Sequence, residues 1–271
     1  MYEAFYGLRE KPFSILPDPD LIYWGENHRF AMATLEFGVL NNAGFTVVTG
    51  EIGSGKTTLV RHLLRTLNAN ITVGLISNTP EGRDELLQWI LMSLKLPFDG
   101  IYPALFCRFQ EFLYAQHAEK RRTILIIDEA QNLKSEALEG LRMLSNINTD
   151  KDQILQLILV GQPQLKELLC APRLLQFAQR ISADFHLSAL KGGEVTQYID
   201  YRLRAAGSRK PLFSSEACAM IAQASSGIPR TINIVCDTAL VYGFATGADR
   251  ITPDLVGEVI EQKRCFGIFG R

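Results

Sequence analysis

The feature that most restricts how this chain can fold is a glycine-rich loop placed between a strand and a helix. Residues 50–58 read G-E-I-G-S-G-K-T-T and fill the P-loop pattern G-x-x-x-x-G-K-[ST]. The five residues before it, F-T-V-V-T, predict a buried strand, and residues 59–64 predict a helix with an apolar face. Because the pattern has mechanical meaning only in the order strand, loop, helix, it indicates a phosphate-binding loop rather than a chance glycine-rich turn.

The chemistry of such a loop assigns a role to most of its residues. Its glycines let backbone N–H groups turn towards phosphate oxygens, and the helix N-terminus adds the positive end of its dipole. Lys56 would reach the β- and γ-phosphates, and the Thr57 hydroxyl would bind Mg²⁺. We therefore expect a nucleoside triphosphate site with Mg²⁺. Its expected binding residues are Gly50, Glu51, Ile52, Gly53, Ser54, Gly55, Lys56, Thr57 and Thr58.

A second motif supplies the carboxylates that triphosphate hydrolysis needs. Residues 123–127, T-I-L-I-I, predict a central parallel strand, and Asp128 and Glu129 follow it directly. Asp128 fits the Walker B role of holding the Mg²⁺ shell, and Glu129 is placed to take a proton from the attacking water. Taken alone, an acidic pair after a strand is more often a helix cap or a solvated turn. Together with a complete P-loop upstream, it predicts hydrolysis.

Composition places limits on the partners and on the compartment. A net charge of −1 provides no broad attraction for nucleic acid or anionic lipid, so nucleic acid is an unlikely partner. The five cysteines are scattered without a C-x-x-C pair, which predicts free thiols in a reducing compartment and no zinc site. The N-terminus lacks a signal peptide core, and no apolar run reaches the length of a membrane span. We therefore expect a soluble cytoplasmic protein.

The pattern of predicted elements divides the chain into two domains. Residues 1–24 are rich in aromatic residues and proline and predict an extended arm. Strands and helices then alternate, which predicts an α/β domain with a parallel sheet covered by helices. After about Ala189 the strand signal fades and four helical segments follow, at residues 194–206, 215–225, 229–244 and from 252. We expect an α/β domain over residues 1–190, including the arm, and a small all-helical domain over residues 191–271.

Motifs along nearly the whole chain resemble those of one family. They are M-Y-E-A-F-Y-G-L-R-E-K-P-F from Met1, the P-loop from Gly50, D-E-A-Q-N-L from Asp128, L-R-M-L-S-N from Leu141, L-V-G-Q-P-Q-L from Leu159, Q-R-I from Gln179 and G-I-P-R-T-I-N from Gly227. With these motifs the chain resembles the AAA+ secretion ATPases of the general secretion pathway A type. It is most similar to the short form associated with exosortase (PEP-CTERM) loci. The resemblance implies an AAA+ P-loop NTPase fold in which the C-terminal helices form a lid domain.

The resemblance also implies roles near the base and the γ-phosphate. Pro12 and Phe13 in the arm would lie beside the adenine, unless the arm only packs on the surface. Gln162 stands at the sensor 1 position, where many AAA+ proteins have Asn or Thr, and would orient water or the γ-phosphate.

Three arginines complete the roles that the resemblance implies. Arg180 corresponds to the arginine finger region, with Arg173 as a nearby rival, and either could instead pair with a surface acid. Arg230 matches sensor 2. The local sequence agrees, because Gly227 is suited to end one helix and Pro229 to begin the next. An arginine in a first helical turn opposes the helix dipole, so an anionic partner such as a triphosphate is a reasonable expectation.

The resulting hypothesis is a Mg²⁺-dependent ATPase that converts ATP to ADP and phosphate. The resemblance implies a homo-oligomer in the form of a ring, an open ring or a hexamer. It also implies work with envelope or secretion machinery proteins in secretion, protein sorting or polysaccharide export, at the cytoplasmic side of the inner membrane. Two alternatives stay open: a regulatory ATPase of DNA transposition, and a nucleotide-gated scaffold that hydrolyses little ATP. Kinase activity is disfavoured because no acceptor site is recognisable.

Overall fold

The computed structural model describes residues 1–77, 82–149 and 152–266 of the chain, which form two compact units. The first unit comprises Met1–His28, Glu51–Thr58 and the chain from Ser188 onward. The second comprises Arg29–Gly50 and Leu59–Leu187.

The second unit is built on a five-stranded sheet in which every pair of neighbours is parallel. The strand order is β2-β3-β4-β1-β5. The strands are β1 (Phe45–Gly50), β2 (Ile71–Ile76), β3 (Arg122–Ile127), β4 (Leu155–Gly161) and β5 (Ile181–Leu187).

Helices connect the strands and make up most of the chain after them. They are α1 (Tyr2–Tyr6), α2 (Glu26–Leu40), α3 (Lys56–Thr66), α4 (Arg83–Ser93), α5 (Tyr102–Ala118), α6 (Ser135–Leu144), α7 (Gln164–Leu169), α8 (Leu175–Ala178), α9 (Gly192–Ala205), α10 (Ser215–Ser225), α11 (Pro229–Thr246) and α12 (Pro253–Phe266). Two single turns of 3₁₀ helix occupy Ala130–Asn132 and Pro172–Leu174.

Both faces of the sheet are covered, as the apolar runs of the central strands predict. Successive side chains of a strand point to opposite faces. In β3, Leu125 and Ile127 belong to the apolar core on one face, and Ile124 and Ile126 belong to the core on the other. All four are fully buried, and this is why the strand reads as a continuous apolar run.

The first unit has its own core, formed by the C-terminal helices together with the N-terminal arm. Tyr2, Tyr6 and Phe13 are buried in the same cluster as residues of α9 to α12. Two hydroxyls of the arm are also bonded there, since Tyr2 donates to Asp237 and Tyr6 donates to the carbonyl of Ala248. The expected division placed the arm with the α/β domain. In the structure the arm belongs instead to the unit of the C-terminal helices, because its buried aromatic residues pack among them.

The sequence analysis did not predict one strand and three short helices, among them α1 in the segment that was expected to be extended. β5 lies at the edge of the sheet, and its residues alternate between partly buried and exposed up to Leu187. Ser182, Asp184 and His186 are its exposed residues, so it lacks the apolar run that marks the central strands. The short helices α7 and α8 contain only six and four residues. The helices α9 to α12 lie within about two residues of their expected bounds, whereas α3 begins three residues before the expected segment 59–64.

All five cysteines have free thiols, in agreement with their scattered positions. In the described ranges, no helix is both long enough and apolar enough to cross a bilayer.

Candidate functional site

The P-loop follows β1 directly and ends where α3 begins at Lys56. Gly53 and Gly55 have backbone φ angles of 81° and 104°, a region that residues with a side chain rarely adopt. A Cβ atom on Gly53 would also stand 2.5 Å from the Cβ of Arg230. Glycine is therefore required at position 53 both by conformation and by space.

Two side chains of the loop are withdrawn from solvent. Lys56 is only 6% exposed, and its ammonium group donates to the carbonyl of Glu51 at 2.9 Å. The Ser54 hydroxyl is buried and has no hydrogen-bond partner among the described residues. A buried donor without a partner is costly, and a phosphate oxygen is a suitable acceptor. The loop thus fits the polyphosphate that its sequence predicts.

The first turn of α11 contacts the P-loop through its backbone. The N–H of Arg230 donates to the carbonyl of Gly53 at 3.2 Å, while the Arg230 side chain is exposed. Gly227, just before this helix, has φ +73° and accepts a hydrogen bond from the Leu190 N–H at 2.9 Å. These contacts lie within the first unit and place the expected sensor 2 arginine beside the expected phosphate loop.

His28 is a residue of this site that the sequence analysis missed. It lies in the first turns of α2, is 6% exposed, and its Nε2 lies 3.1 Å from the carbonyl oxygen of Ser54. Since a carbonyl only accepts, Nε2 carries the proton, and the buried Nδ1 has no partner among the described residues. Burial lowers the pKa of His28, although the hydrogen bond to Ser54 and the charge of Glu194 oppose this effect. A single histidine in the first turns of a helix belongs to no motif that could have revealed this contact.

The carboxyl end of β3 presents both of the acids that the sequence assigns to Walker B. Asp128 is 6% exposed, and one of its carboxylate oxygens accepts the N–H of Glu129 at 3.0 Å. Glu129 itself is in the left-handed region, with φ 55° and ψ 35°. Because all strands are parallel, the ends of β1 and β4 lie at this same edge, where ligands bind in open α/β sheets.

Two glutamines hold the Glu129 carboxylate. The Gln131 side-chain amide donates to Glu129 Oε2 at 2.7 Å, and that of Gln162 donates to the same oxygen at 3.3 Å. The Gln131 carbonyl oxygen accepts the backbone N–H of Gln162 at 2.9 Å. The structure therefore joins Glu129 to the expected sensor 1 residue. It adds Gln131, which lies within the motif D-E-A-Q-N-L but has no role assigned from the sequence.

Pro12 and Phe13 do not present an open face for a base. Phe13 is fully buried and packs edge to face on Phe213, with ring centroids 6.1 Å apart. The carbonyl of Pro12 accepts a hydrogen bond from Arg202 Nε at 2.7 Å. In the structure these two residues fix the arm onto the helices, because burial of the apolar ring of Phe13 away from water is favourable.

Arg180 and Arg173 have different surroundings in the second unit. Arg180 is partly buried and donates to the Ser145 hydroxyl at 2.8 Å. Arg173 is exposed at the rim of a cleft of about 840 Å³, whose other charged residues are Arg83, Asp84, Glu85, Glu136 and Glu139. The pKa of Glu139 is lowered chiefly by its hydrogen bonds with Arg142, and the charge of Arg180 adds to this effect. Both candidates for the finger are thus close to acids or hydroxyls of their own unit.

The residues expected to hold Mg²⁺ have suitable chemistry. Thr57 offers a hydroxyl in the first turn of α3, and Asp128 offers a carboxylate at the end of β3. In the part of the chain that the structure describes, there is no cluster of three or more His, Cys, Asp or Glu residues able to hold a metal. Mg²⁺ needs no such cluster, because it is commonly held by one or two protein oxygens together with phosphate oxygens and water.

Comparisons with solved structures agree with this architecture. A structure of the Aeropyrum pernix ORC2 protein, in ADPNP and ADP complexes, is 18% identical with a TM-score of 0.67, covering 93% of this chain and 71% of that one. The Thermotoga maritima RuvB Holliday junction branch migration motor is 21% identical with a TM-score of 0.56, over 92% and 73% of the two chains. A structure of Drosophila ORC bound to DNA is 16% identical with a TM-score of 0.66, over 96% and 65%. At these identities the likeness concerns the fold.

Comparisons of sequence are more specific. A family model described as an AAA domain matches residues 40–169, which include the P-loop, Asp128 and Glu129. General secretion pathway protein A of Aeromonas hydrophila is 41% identical over 254 residues, or 93% of this chain. The chain spans 46% of the length of that relative. With its parallel sheet and its P-loop, the chain contains an AAA domain over residues 40–169 and is related to general secretion pathway protein A over 93% of its own length.

Proposed function

We propose that this protein hydrolyses ATP to ADP and phosphate with Mg²⁺, and that the cycle drives conformational change in bacterial envelope secretion, protein sorting or polysaccharide export. The observation that best supports hydrolysis is the pair of acids at the end of β3. Asp128 is nearly buried, and Glu129 follows it with its carboxylate held by side-chain amides. A protein that only bound nucleotide would need the P-loop but no oriented second acid.

The proposed division of labour uses groups whose chemistry suits each step. The Lys56 ammonium binds the β- and γ-phosphates, assisted by backbone N–H groups of the loop and the Ser54 hydroxyl. The Thr57 hydroxyl and the Asp128 carboxylate would hold Mg²⁺, and a bound Mg²⁺ would supply positive charge next to the phosphate oxygens. Glu129 takes the proton from the attacking water, while Gln162 orients that water or the γ-phosphate. Arg230, whose backbone lies against Gly53, senses the bound nucleotide.

The setting in the envelope rests on a relative that is longer than this chain. General secretion pathway protein A is named for secretion, and the short subgroup of exosortase loci is an expectation from the shared motifs. We propose a homo-oligomer at the cytoplasmic side of the inner membrane, with envelope or secretion proteins as partners. The DNA-bound fold relative supports only the alternative of nucleic acid binding, which the net charge of −1 disfavours.

Two substitutions separate nucleotide binding from hydrolysis. Lys56→Ala should weaken binding of a fluorescent ATP analogue by about 10- to 100-fold, because a charged hydrogen bond to phosphate is lost. Glu129→Gln should bind the ATP analogue normally, but its kcat should fall by about 100- to 10,000-fold, which is the usual contribution of a general base to the rate. Lys166→Ala and Glu167→Gln, both exposed on α7, are the matched controls. Normal kcat in Glu129→Gln would refute the role of Glu129, and slow hydrolysis by every form would support the scaffold alternative.

A further inference from the structure

The conformation of Glu129 needs support from its surroundings. The left-handed region is unfavourable for a residue with a side chain, and such strain persists only where neighbouring contacts enforce it. Part of the support comes from Asp128, whose carboxylate accepts the Glu129 N–H. The rest acts on the Glu129 side chain and comes from Gln131 and Gln162.

The orientation of the Gln131 amide follows from its partners. The backbone N–H of Gln162 can only donate, so the oxygen of the Gln131 amide must face it. The NH₂ group of Gln131 then faces Glu129, at 2.7 Å from Oε2. A single side chain therefore connects the proposed base to the residue that follows β4, and it needs both a donor end and an acceptor end.

The backbone of β4 leaves space for this connection. Its last residue is Gly161, where a Cβ atom would stand 2.8 Å from the Gln131 amide oxygen and 2.9 Å from Leu165 Cδ2. Any larger residue would push the Gln131 side chain away from the Gln162 N–H. The glycine and the glutamine thus form one local arrangement.

We propose that Gln131 is a positioning residue that holds the Glu129 carboxylate for proton transfer and couples it to the end of β4. This inference rests on the proposed function, in which Glu129 is the base. Both amide donors act on Oε2, so neither of them occupies Oε1, and the proposal assigns the acceptance of the proton to Oε1. Gln162 makes the longer of the two bonds, 3.3 Å, so its side chain can turn to a phosphate while Gln131 keeps the carboxylate in place.

The first test uses the kinetics of three variants. Gln131→Met keeps the length of the side chain but removes both polar ends, and Gln131→Asn is too short to connect the two partners. Each should lower kcat by about 10- to 100-fold with KM for ATP changed less than about twofold, because a misplaced base slows chemistry without weakening binding. Gln223→Met, exposed on α10, is the control for the same replacement elsewhere. A change in KM alone, or no change in kcat, would overturn the proposal.

The second test does not depend on activity. Gln131→Glu places two carboxylates together and should lower Tm, by about 2 to 4 °C for each kcal/mol lost. Exchanging the partners in the double variant Gln131→Glu/Glu129→Gln restores a donor opposite an acceptor, while the carboxylate introduced at position 131 still accepts the Gln162 N–H. We expect Tm to return to near the wild-type value while kcat stays as low as in Glu129→Gln.

The two tests fail in distinguishable ways. If Tm shows no recovery in the exchanged pair, Gln131 does not contact Glu129 as described and the positioning role is wrong. If Tm recovers but Glu129→Gln alone keeps normal kcat, the contact is real and the proposed function has failed instead.

Discussion

Single residues of the candidate site are held by contacts between segments far apart in sequence. His28 reaches the P-loop carbonyl of Ser54 from α2, and Gln131 reaches the N–H of Gln162 from the turn after β3. Both contacts act on backbone groups, so they fix the loop or strand end on which the proposed hydrolysis would depend. A change in either side chain should therefore alter function without touching the nucleotide.

His28 should make stability depend on pH in one direction. Burial lowers its pKa in the folded protein, so below about pH 6.5 the unfolded chain binds a proton that the folded protein does not. The free energy of unfolding should then fall as the pH drops from about 6.5 towards the folded pKa, by at most about 1.4 kcal/mol per pH unit. Stability from this source is complete above about pH 6.5.

Urea unfolding at several pH values between about 7.5 and 5.5, the range in which histidine titrates, measures this slope. His28→Gln keeps an amide that can donate to Ser54 but cannot titrate, so its unfolding free energy should fall less than that of the wild type over the same range. His186→Gln, which replaces an exposed histidine of β5, controls for the loss of a histidine as such. Equal slopes in the wild type and His28→Gln would contradict the prediction.

At the scale of elements, the helical unit depends on the junction between α10 and α11. Gly227 has φ +73°, and a Cβ atom there would overlap the carbonyl oxygen of Leu190. Backbone cannot yield as a flexible side chain can, so both the conformation and the contact demand glycine. This junction lies shortly before Arg230, so a distortion of the backbone at Gly227 would displace Arg230 relative to the P-loop.

Gly227→Ala should lower the free energy of unfolding by about 2 to 5 kcal/mol, from backbone strain and overpacking together. Gly193→Ala, at the start of α9, is the matched control because a Cβ atom there meets nothing within 4 Å. The control should be neutral or slightly stabilising. Urea unfolding of the two variants would disprove the argument if both lost the same stability.

The arm is attached to the helices by a second set of contacts, between its backbone and buried side chains. The carbonyls of Pro12 and Ser14 accept hydrogen bonds from Arg202 and Asn233, at 2.7 and 2.9 Å. Tyr198 connects the two donors, since its hydroxyl donates to Asn233 and accepts from Arg202. The network explains why the part of the arm around Pro12 and Ser14, which has no helix or strand, stays packed on the helical core.

Asn233→Ala should release the arm, because it leaves the Ser14 carbonyl and the Tyr198 hydroxyl without their partner at a cost of about 1 to 3 kcal/mol. Hydrogen exchange of the backbone amides of residues 13–16 should become faster, while exchange in β3 and β4 stays unchanged. Asn41→Ala, at the exposed end of α2, is the control. Unchanged exchange in the arm would show that apolar burial of Tyr2, Tyr6 and Phe13 is sufficient to hold it.

At the scale of the whole molecule, the central question is whether Arg180 acts within one chain or on a neighbour. Its guanidinium contacts Ser145 of its own unit, so a structural role competes with the expected arginine finger. The two roles differ in a measurable way, because a finger that acts in trans completes a site only after assembly.

Arg180→Ala should bind ATP normally and lose about 10³-fold or more in turnover if it is a finger. Mixing it with Glu129→Gln should restore partial activity, because some junctions then pair an intact Glu129 with an intact Arg180. Light scattering with ATP, with and without DNA, shows whether the chains assemble together. No recovery despite demonstrated assembly would argue for a role in cis or for a structural role.

Two further variants identify the source of any loss. Ser145→Ala removes the contact of Arg180 without removing its charge, so a structural role predicts that it matches Arg180→Ala, whereas a finger predicts nearly normal turnover. Arg173→Ala, run in parallel, shows whether the exposed arginine at the cleft is the finger instead.

The sequence by itself determined those features of the protein that are set by residues adjacent in the chain. The P-loop, the strand that precedes Asp128 and the longer helices could be predicted because glycine conformation, apolar periodicity and helix signals act over a few residues. The edge strand β5 could not, since its half-exposed residues lack an apolar run and its place is set by pairing with β1. The family resemblance extended the prediction to Gln162 and Arg230.

Only the tertiary structure decided which distant residues meet. The packing of Phe13 among the helices, the bond from His28 to Ser54, and the link from Gln131 to Gln162 each join segments tens of residues apart or more. Such contacts form because buried polar groups must find partners and aromatic surface must leave water. Which groups become partners depends on how the whole chain packs, so a motif of a few residues does not reveal them.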